Sequence, residues 1–209
     1  MAEIANNFDY MIPAIILSGG RSRRMGRNKA TLPLGQETVL QRVESVFASI
    51  ADPLVLVIGR DSTAPGTRRA RRVVRDEHAD FGPLEGLRIG LESVRGDGAM
   101  AMVGTCDAPL VVPEVYTTMS RRLLHSSEHD AVMPLIEGQH HPLTAVYRVS
   151  VLPEIEEMVQ RKQLRVRDLL KRINVLEMGA DELRGVDPQL RTIRNINTPE
   201  EYQRMLEEL

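Results

Sequence analysis

Short apolar runs alternate with amphipathic stretches along most of this chain, and that alternation constrains the fold more than any other feature. The apolar runs predict six strands, at residues 12–17, 54–58, 72–75, 99–104, 131–136 and 144–147. Apolar residues at helical spacing predict helices around residues 39–50, 87–94, 115–123, 152–159 and 202–206. Such alternation favours an α/β fold with a mostly parallel sheet and helices on both faces. In these folds ligands bind beyond the carboxyl ends of the strands.

The first predicted strand leads directly into a glycine-rich, cationic segment, LSGGRSRRMGRNK, from Leu17 to Lys29. Glycines free backbone N–H groups for an anion, and the five cations, with no carboxylate among them, neutralise phosphate charge. The P-loop pattern is excluded because Lys29 lies between Asn28 and Ala30, and glycines at 19, 20 and 26 exclude the dinucleotide fingerprint. The segment therefore predicts a phosphate site, the alternative being a basic surface loop with ordinary turn glycines.

Composition narrows the class of protein. With 209 residues we expect one domain over residues 11–209 after a short lead-in at 1–10, and a flexible loop around 64–72. The net charge of −2, 3% aromatic content and absence of Trp disfavour nucleic-acid binding. No apolar run is long enough for a membrane span, and the first residues do not resemble a secretory signal. Cys106 is the single cysteine, which excludes an intrachain disulfide and favours a cytoplasmic location.

Two carboxylates follow predicted strands. Asp107 comes after the fourth strand and is well placed for Mg²⁺, which prefers one or two carboxylates together with waters and substrate phosphates. The alternative is an N-cap or Asx turn before the next helix. Asp76 ends the third strand and is either a site residue or a solvated turn residue. Cys106 is more typical of a small buried residue than of a nucleophile.

Six segments in order resemble the motifs of the molybdenum cofactor guanylyltransferases, a family of nucleotidyltransferases. The segments are LSGGRSRRMGRNK at 17–29, GPLEG at 82–86, CDAP at 106–109, HPL at 141–143, RVRDLL at 165–170 and NINTPE at 195–200. Each motif alone is weak, but together they cover nearly the whole chain. The resemblance implies a Rossmann-like three-layer nucleotidyltransferase fold with a mostly parallel central sheet.

The resemblance also implies roles for individual residues. A nucleotide site is implied at Leu17, Ser18, Gly19, Gly20, Lys29, Asp76, Gly82, Gly86 and Asp107. The backbone around Leu17 to Gly19 would read guanine, and Lys29 would contact the phosphates. Lys29, Asp107 and Arg24 are the implied catalytic residues, with Asp107 as the Mg²⁺ ligand. An acceptor site is implied at His141, Arg148, Asn195 and Asn197.

Four positions depart from the family pattern. Ser18 and Glu85 each replace alanine, and Asn28 replaces aspartate. Gly59-Arg60 stands where the family often has a nucleotide-binding asparagine after the second strand. The last change leaves one expected contact to the nucleotide without a residue.

The implied reaction transfers GMP from GTP to molybdopterin, the molybdenum cofactor, and releases pyrophosphate. Partner proteins that deliver the cofactor, or chaperones of molybdoenzymes that receive it, are implied as well. Two alternatives remain open at this point. The chain could transfer another nucleotide or act on a sugar-phosphate acceptor. It could also bind a nucleotide or cofactor without catalysis, as the departures at Asn28, Glu85 and Gly59 would suggest.

Overall fold

A computed structural model of the chain describes residues 11–19 and 28–208. The strands within these residues are β1 Ala14–Leu17, β2 Pro33–Leu34, β3 Glu37–Thr38, β4 Leu54–Ile58, β5 Arg72–Arg75, β6 Met100–Thr105, β7 Ala131–Ile136, β8 Gln139–His140, β9 Ala145–Arg148 and β10 Val175–Gly179. The α-helices are α1 Val39–Phe47, α2 Pro83–Ser93, α3 Pro113–Leu124, α4 Leu152–Gln160, α5 Val166–Leu169, α6 Ala180–Val186 and α7 Pro199–Glu207. No helix in this part of the chain is both long enough and apolar enough to cross a membrane.

The central sheet has the strand order β10-β7-β9-β6-β1-β4-β5, with β8 paired to β7. Strand β1 lies parallel to both β4 and β6, β4 to β5, and β10 to β7. Strand β9 is antiparallel to its two neighbours, β6 and β7. The sheet is therefore mostly parallel, as predicted, and the carboxyl ends of β1, β4, β5, β6 and β7 share one edge.

Two apolar clusters lie on opposite faces of the sheet. Along β1, Ala14 and Ile16 belong to one cluster, whereas Ile15 and Leu17 belong to the other, because successive strand residues point to opposite faces. Helices α1, α3, α6 and α7 contribute to the first cluster, and α2, α4 and α5 to the second. The predicted three-layer arrangement is confirmed.

The six predicted strands are all present, with ends shifted by two residues or fewer. The antiparallel orientation of β9 was not predicted, since an apolar run carries no information on strand direction. Strand β10 was not predicted: its apolar residues, Val175, Leu176 and Met178, are interrupted by Glu177, and only Met178 is buried. Residues 64–72, predicted as flexible, are anchored: the buried carboxylate of Glu44 accepts hydrogen bonds from the Thr67 hydroxyl and, at 2.9 Å, from the Arg68 backbone N–H.

Candidate active site

The segments that leave β1, β5 and β6 are held together by backbone hydrogen bonds at the carboxyl edge of the sheet. Ser18 donates to the carbonyl of Val57 at 2.8 Å, and Cys106 donates to that of Leu17 at 3.3 Å. Asp76 donates to the carbonyl of Ile58 at 3.0 Å. These bonds continue the parallel ladders beyond the strands, so the sequence motifs after each strand meet at one place.

Lys29 lies at the centre of a small polar cluster at this edge. Its Nζ is 2.9 Å from Asp107 Oδ1 and donates a hydrogen bond of 3.0 Å to Asn197 Oδ1. The Lys29 side chain is 11% exposed, whereas that of Asp107 is 48% exposed. Lys29 opens a short 3₁₀ turn whose N-cap is Asn28, the side chain of which accepts from Ala30 N–H at 3.1 Å. Asn28, which replaces the aspartate of the family pattern, therefore caps this turn.

The backbone of Asp107 is fixed on two sides. Its N–H donates to Thr105 Oγ1 at 3.2 Å, and its carbonyl accepts from Ile196 N–H at 2.7 Å. Helix α3 begins later, at Pro113 with Val112 as its N-cap, so the alternative that Asp107 caps this helix is wrong. The half-exposed carboxylate is instead presented at the edge of the sheet beside Lys29.

The carboxylate of Asp76 lies between two glycines of the predicted nucleotide site. A Cβ atom on Gly19 would be 3.6 Å from Asp76 Oδ2, and one on Gly86 would be 3.7 Å from Asp76 Oδ1. Oδ1 is buried and has no hydrogen-bond partner among the described residues. Burial, followed by the nearby charge of Glu85, raises the Asp76 pKa to about 6 against the opposing charge of Arg88. Because buried polar atoms are nearly always hydrogen-bonded, this oxygen is a candidate ligand contact.

Ser18 supplies a second buried oxygen. Its Oγ makes no well-formed hydrogen bond to a described residue, but it lies beside the Cys106 thiol. Burial raises the pKa of that thiol to about 12, and the contact with Ser18 opposes this shift. Cys106 is therefore a buried, protonated residue and not an activated nucleophile, as predicted.

Glu85 is buried near Asp76, within an ionic network. Its carboxylate accepts from Arg88 Nε and lies near His78 Nδ1, both at 2.9 Å, and it accepts from the Glu77 backbone N–H at 3.3 Å. Burial raises the Glu85 pKa, but the bonds from Arg88 and His78 outweigh it, so the net shift is downward. Glu77, His78 and Glu85 place potential metal ligands within 4.8 Å of one another. Arg88 pairs with both carboxylates and offsets one of their two negative charges.

Helix α2 begins within the GPLEG motif. Gly82 is its N-cap, and Pro83 occupies the first turn, a position that proline favours. Gly82 has φ of 71°, a left-handed conformation that glycine adopts without strain. The motif therefore turns the chain sharply into α2, which carries Glu85 and Gly86 to Asp76.

The predicted acceptor residues do not all lie together. His141 follows β8, and its N–H bonds to the carbonyl of Pro134 at 3.0 Å, near the carboxyl end of β7. Burial, together with the charges of Arg167 and His140, lowers the His141 pKa. Arg148 instead pairs in register with Met100, at the beginning of β6 and therefore at the opposite edge.

The guanidinium of Arg148 is hydrogen-bonded to backbone carbonyls. It donates to the carbonyls of Leu123, Ser126 and His129 at 2.8, 2.6 and 2.9 Å. These carbonyls belong to the end of α3 and the turn that follows it. Arg148 is therefore separate from the other predicted site residues, and its side chain stabilises this turn.

The two predicted asparagines near the end of the chain differ in their surroundings. Asn195 lines a cleft of about 350 Å³ between Leu110 and helix α7, whereas Asn197 contacts Lys29. The contact of Asn197 with the predicted phosphate lysine was not foreseen, because the two residues are far apart in sequence. Gly20 and Arg24 lie outside the described residues.

Comparisons with known proteins agree with this geometry. Residues 14–177 match the family of the MobA-like NTP transferase domain. The chain is 35% identical over 205 residues to a probable molybdenum cofactor guanylyltransferase from Methanosarcina mazei, which covers 92% of this chain and 89% of that protein. The crystal structure of molybdopterin-guanine dinucleotide biosynthesis protein A from Archaeoglobus fulgidus superposes with a TM-score of 0.79 at 25% identity, over 94% of this chain and 98% of that chain.

A more distant solved structure shares the fold. It is Rv0371c of Mycobacterium tuberculosis in complex with manganese, with a TM-score of 0.57 at 20% identity, over 95% of this chain and 100% of that chain. The family match spans most of the chain, and the Methanosarcina mazei relative covers nearly all of it. The chain therefore belongs to the MobA-like NTP transferase family, in the group of the molybdenum cofactor guanylyltransferases.

Proposed function

We propose that this protein transfers GMP from GTP to the terminal phosphate of molybdopterin, forming the guanine dinucleotide cofactor and pyrophosphate. The observation that carries the proposal is the pairing of Lys29 Nζ with Asp107 Oδ1 at 2.9 Å, at the carboxyl edge of the sheet. A cation for phosphate and a carboxylate for a metal are the two groups that nucleotidyl transfer requires most. The names of the relatives in the comparisons point to the same reaction.

The nucleoside of GTP would lie between the segment after β1 and the start of α2. This region is lined by two buried oxygens that make no well-formed hydrogen bond to any described residue, Ser18 Oγ and Asp76 Oδ1. Gly19 and Gly86 flank Asp76 and leave space where a side chain would otherwise stand. As in the family, the backbone of Leu17 to Gly19 would read the guanine, and Asp76 would accept a hydrogen bond from the nucleoside.

Asp107 is the residue that would hold a divalent ion, for which we propose Mg²⁺. Its carboxylate is half exposed, has a fixed backbone and lies beside the phosphate lysine. One carboxylate suits Mg²⁺, which keeps several waters and takes its remaining ligands from substrate phosphates. When bound, the ion would supply neutralisation of the negative charge on the phosphate oxygens.

The chemistry needs little covalent help from the protein. A terminal phosphate oxygen of molybdopterin attacks the α-phosphorus of GTP, a new P–O bond forms, and the bond from the α-phosphorus to the pyrophosphate oxygen breaks. The attacking oxygen is already anionic, so no general base is required. Lys29 would exchange Asp107 for a phosphate oxygen and stabilise the charge that develops on the pyrophosphate.

Acceptor binding is proposed for His141 and for the cleft lined by Asn195. His141 follows β8 at the carboxyl edge, and the cleft borders Ile196, which is bonded to Asp107. An acceptor placed there would have its terminal phosphate near the reacting end of GTP. Delivery and receiving proteins would reach the cofactor from the same edge.

The test is pyrophosphate release by the purified protein with molybdopterin, Mg²⁺ and, in turn, GTP, CTP and ATP. Of the three nucleotides, we expect only GTP to react, giving pyrophosphate and the guanine dinucleotide cofactor in equal amounts. Preference for CTP would overturn the choice of nucleotide. Nucleotide binding without product formation would favour a noncatalytic carrier.

A further inference from the structure

Asn197 contacts Lys29 through its side chain and belongs to a segment that also supports Asp107. Asn197 Oδ1 accepts the 3.0 Å hydrogen bond from Lys29 Nζ, and the adjacent Ile196 N–H donates to the Asp107 carbonyl at 2.7 Å. We propose that Asn197 is a positioning residue that holds the Lys29 ammonium for phosphate. The catalytic part of this inference rests on the proposed function.

Asn197 is itself held by the first turn of α7. Its backbone N–H donates to Glu201 Oε2 at 2.6 Å, and Thr198 N–H donates to the same oxygen at 3.1 Å. Thr198 Oγ1 in turn accepts from Glu201 N–H at 3.2 Å, which completes a capping box. A side chain on such a well-anchored residue can hold a partner in a fixed place.

Helix α7 also contacts the chain just after Lys29. The Tyr202 hydroxyl donates to the Pro33 carbonyl in β2. Asn197 and Tyr202 therefore tie α7 to the Lys29 segment at separate points. This arrangement offers a matched control, because only the Asn197 contact involves the ammonium group.

Asp107 and Asn197, the two described partners of Lys29, differ in charge and therefore act on the ammonium in different ways. Asp107 neutralises the ammonium and would be engaged by a divalent ion in the loaded enzyme. The neutral amide of Asn197 orients the ammonium without cancelling its charge. When Asp107 is engaged elsewhere, Asn197 is the remaining side-chain partner of Lys29 within residues 11–19 and 28–208. Correct placement of a charge governs how well it stabilises a transition state.

Chemical labelling of lysine tests the positioning without an activity assay. The chain has three lysines, and Lys162 and Lys171 are both exposed, so they serve as internal standards for acetylation at limiting reagent. We expect Asn197→Ala to raise the labelling rate of Lys29 relative to the standards about tenfold, which corresponds to about 1.4 kcal/mol. Asn197→Asp keeps an acceptor oxygen and adds a negative charge beside the ammonium, so Lys29 should label no faster than in the wild type. Tyr202→Phe should label like the wild type.

The proposal would be overturned by unchanged Lys29 labelling in Asn197→Ala. Equal labelling of Asn197→Ala and Asn197→Asp would also overturn it, since the side-chain oxygen would then not be the anchor. Circular dichroism on each variant separates these results from unfolding.

Kinetics then test the consequence for catalysis. Asn197→Ala should lower kcat about tenfold while changing the KM for GTP less than about threefold, because the charge that attracts GTP remains but its placement is lost. An unchanged kcat would contradict a catalytic role for the positioning. If the wild-type protein forms no dinucleotide, the proposed function fails, and the labelling result still decides whether Asn197 positions Lys29.

Discussion

The ammonium of Lys29 and the carboxylate of Asp107 form an ion pair of 2.9 Å across the segments that leave β1 and β6. Each group thus neutralises the other when no substrate is present. The Lys29 side chain is only 11% exposed, so its ammonium needs a partner, whereas Asp107 is half exposed. Exchange of Asp107 for a phosphate oxygen keeps the ammonium paired, and the released carboxylate is accessible to a metal ion.

Replacement of Asp107 tests its proposed metal role. Asp107→Ala should lower kcat by about 10²–10³, the loss typical of removing one electrostatic stabiliser of a transition state. Asp107→Asn, which keeps the shape and removes the charge, should lose nearly as much. Pyrophosphate release across a Mg²⁺ titration is the measurement, with thermal unfolding as a check of folding. Near-normal turnover of either variant in saturating Mg²⁺ would contradict the role.

Replacement of Lys29 tests the phosphate contact. Lys29→Ala should lower kcat/KM for GTP by at least about 10², because a charge-assisted hydrogen bond of about 1.5–3 kcal/mol is lost together with transition-state stabilisation. Lys29→Arg should recover only part, since a planar guanidinium does not reproduce a compact ammonium. Lys162→Ala, a change at an exposed lysine outside the site, is the control. Equal activity of Lys29→Ala and Lys162→Ala would contradict the assignment of Lys29 as the phosphate contact.

Most of the sheet could be predicted because buried strands produce apolar runs. Strand β4, for example, is buried at all five positions and was predicted with its actual bounds. The position of Asp107 at the carboxyl edge followed from the same logic, since it comes directly after an apolar strand. Direction and pairing were not predictable from such runs, so β9 was not recognised as antiparallel.

Contacts between distant segments explain what the sequence could not reveal. The hydrogen bond from Lys29 to Asn197 depends on how α7 docks, and no local pattern reports docking. The location of Arg148 also depends on tertiary structure. The motif predicted a place in the acceptor site, but β9 is antiparallel, so Arg148 lies at the edge opposite the carboxyl ends of the parallel strands. A lone polar residue in a motif indicates chemistry, whereas its place in the fold depends on strand direction.

Glu85 should be important for stability. Glu85→Ala would leave Arg88, which is 12% exposed, without its main partner in a region from which water is largely excluded. We expect a loss of about 3–5 kcal/mol in the free energy of unfolding, measured by urea denaturation. The double variant Glu85→Ala with Arg88→Met should recover most of that loss, because no unpaired charge remains. A double variant less stable than Glu85→Ala alone would contradict this account.

Asp76 should make stability depend on pH in an unusual direction. Its pKa is about 6 in the folded protein and 3.8 ordinarily, so the folded state binds more protons between these values. Stability contributed by this group therefore falls as pH rises through that window. Asp76→Asn should raise the thermal midpoint above pH 6 and give no gain below pH 4, in protein free of nucleotide. Asp52→Asn, at a carboxylate paired with Arg71 outside the site, controls for the loss of one charge, and a gain independent of pH would contradict the prediction.

Arg148 distinguishes a structural role from an acceptor role. Arg148→Ala removes donors from three carbonyls at the end of α3 and in the following turn, and we expect a loss of about 2–4 kcal/mol in the free energy of unfolding. At a temperature where the variant stays folded, its KM for molybdopterin should equal that of the wild type, since the side chain lies at the opposite edge from Asp107. His141→Ala, at the carboxyl edge, should raise that KM instead. A raised KM in Arg148→Ala with unchanged stability would restore the role that the motif suggested.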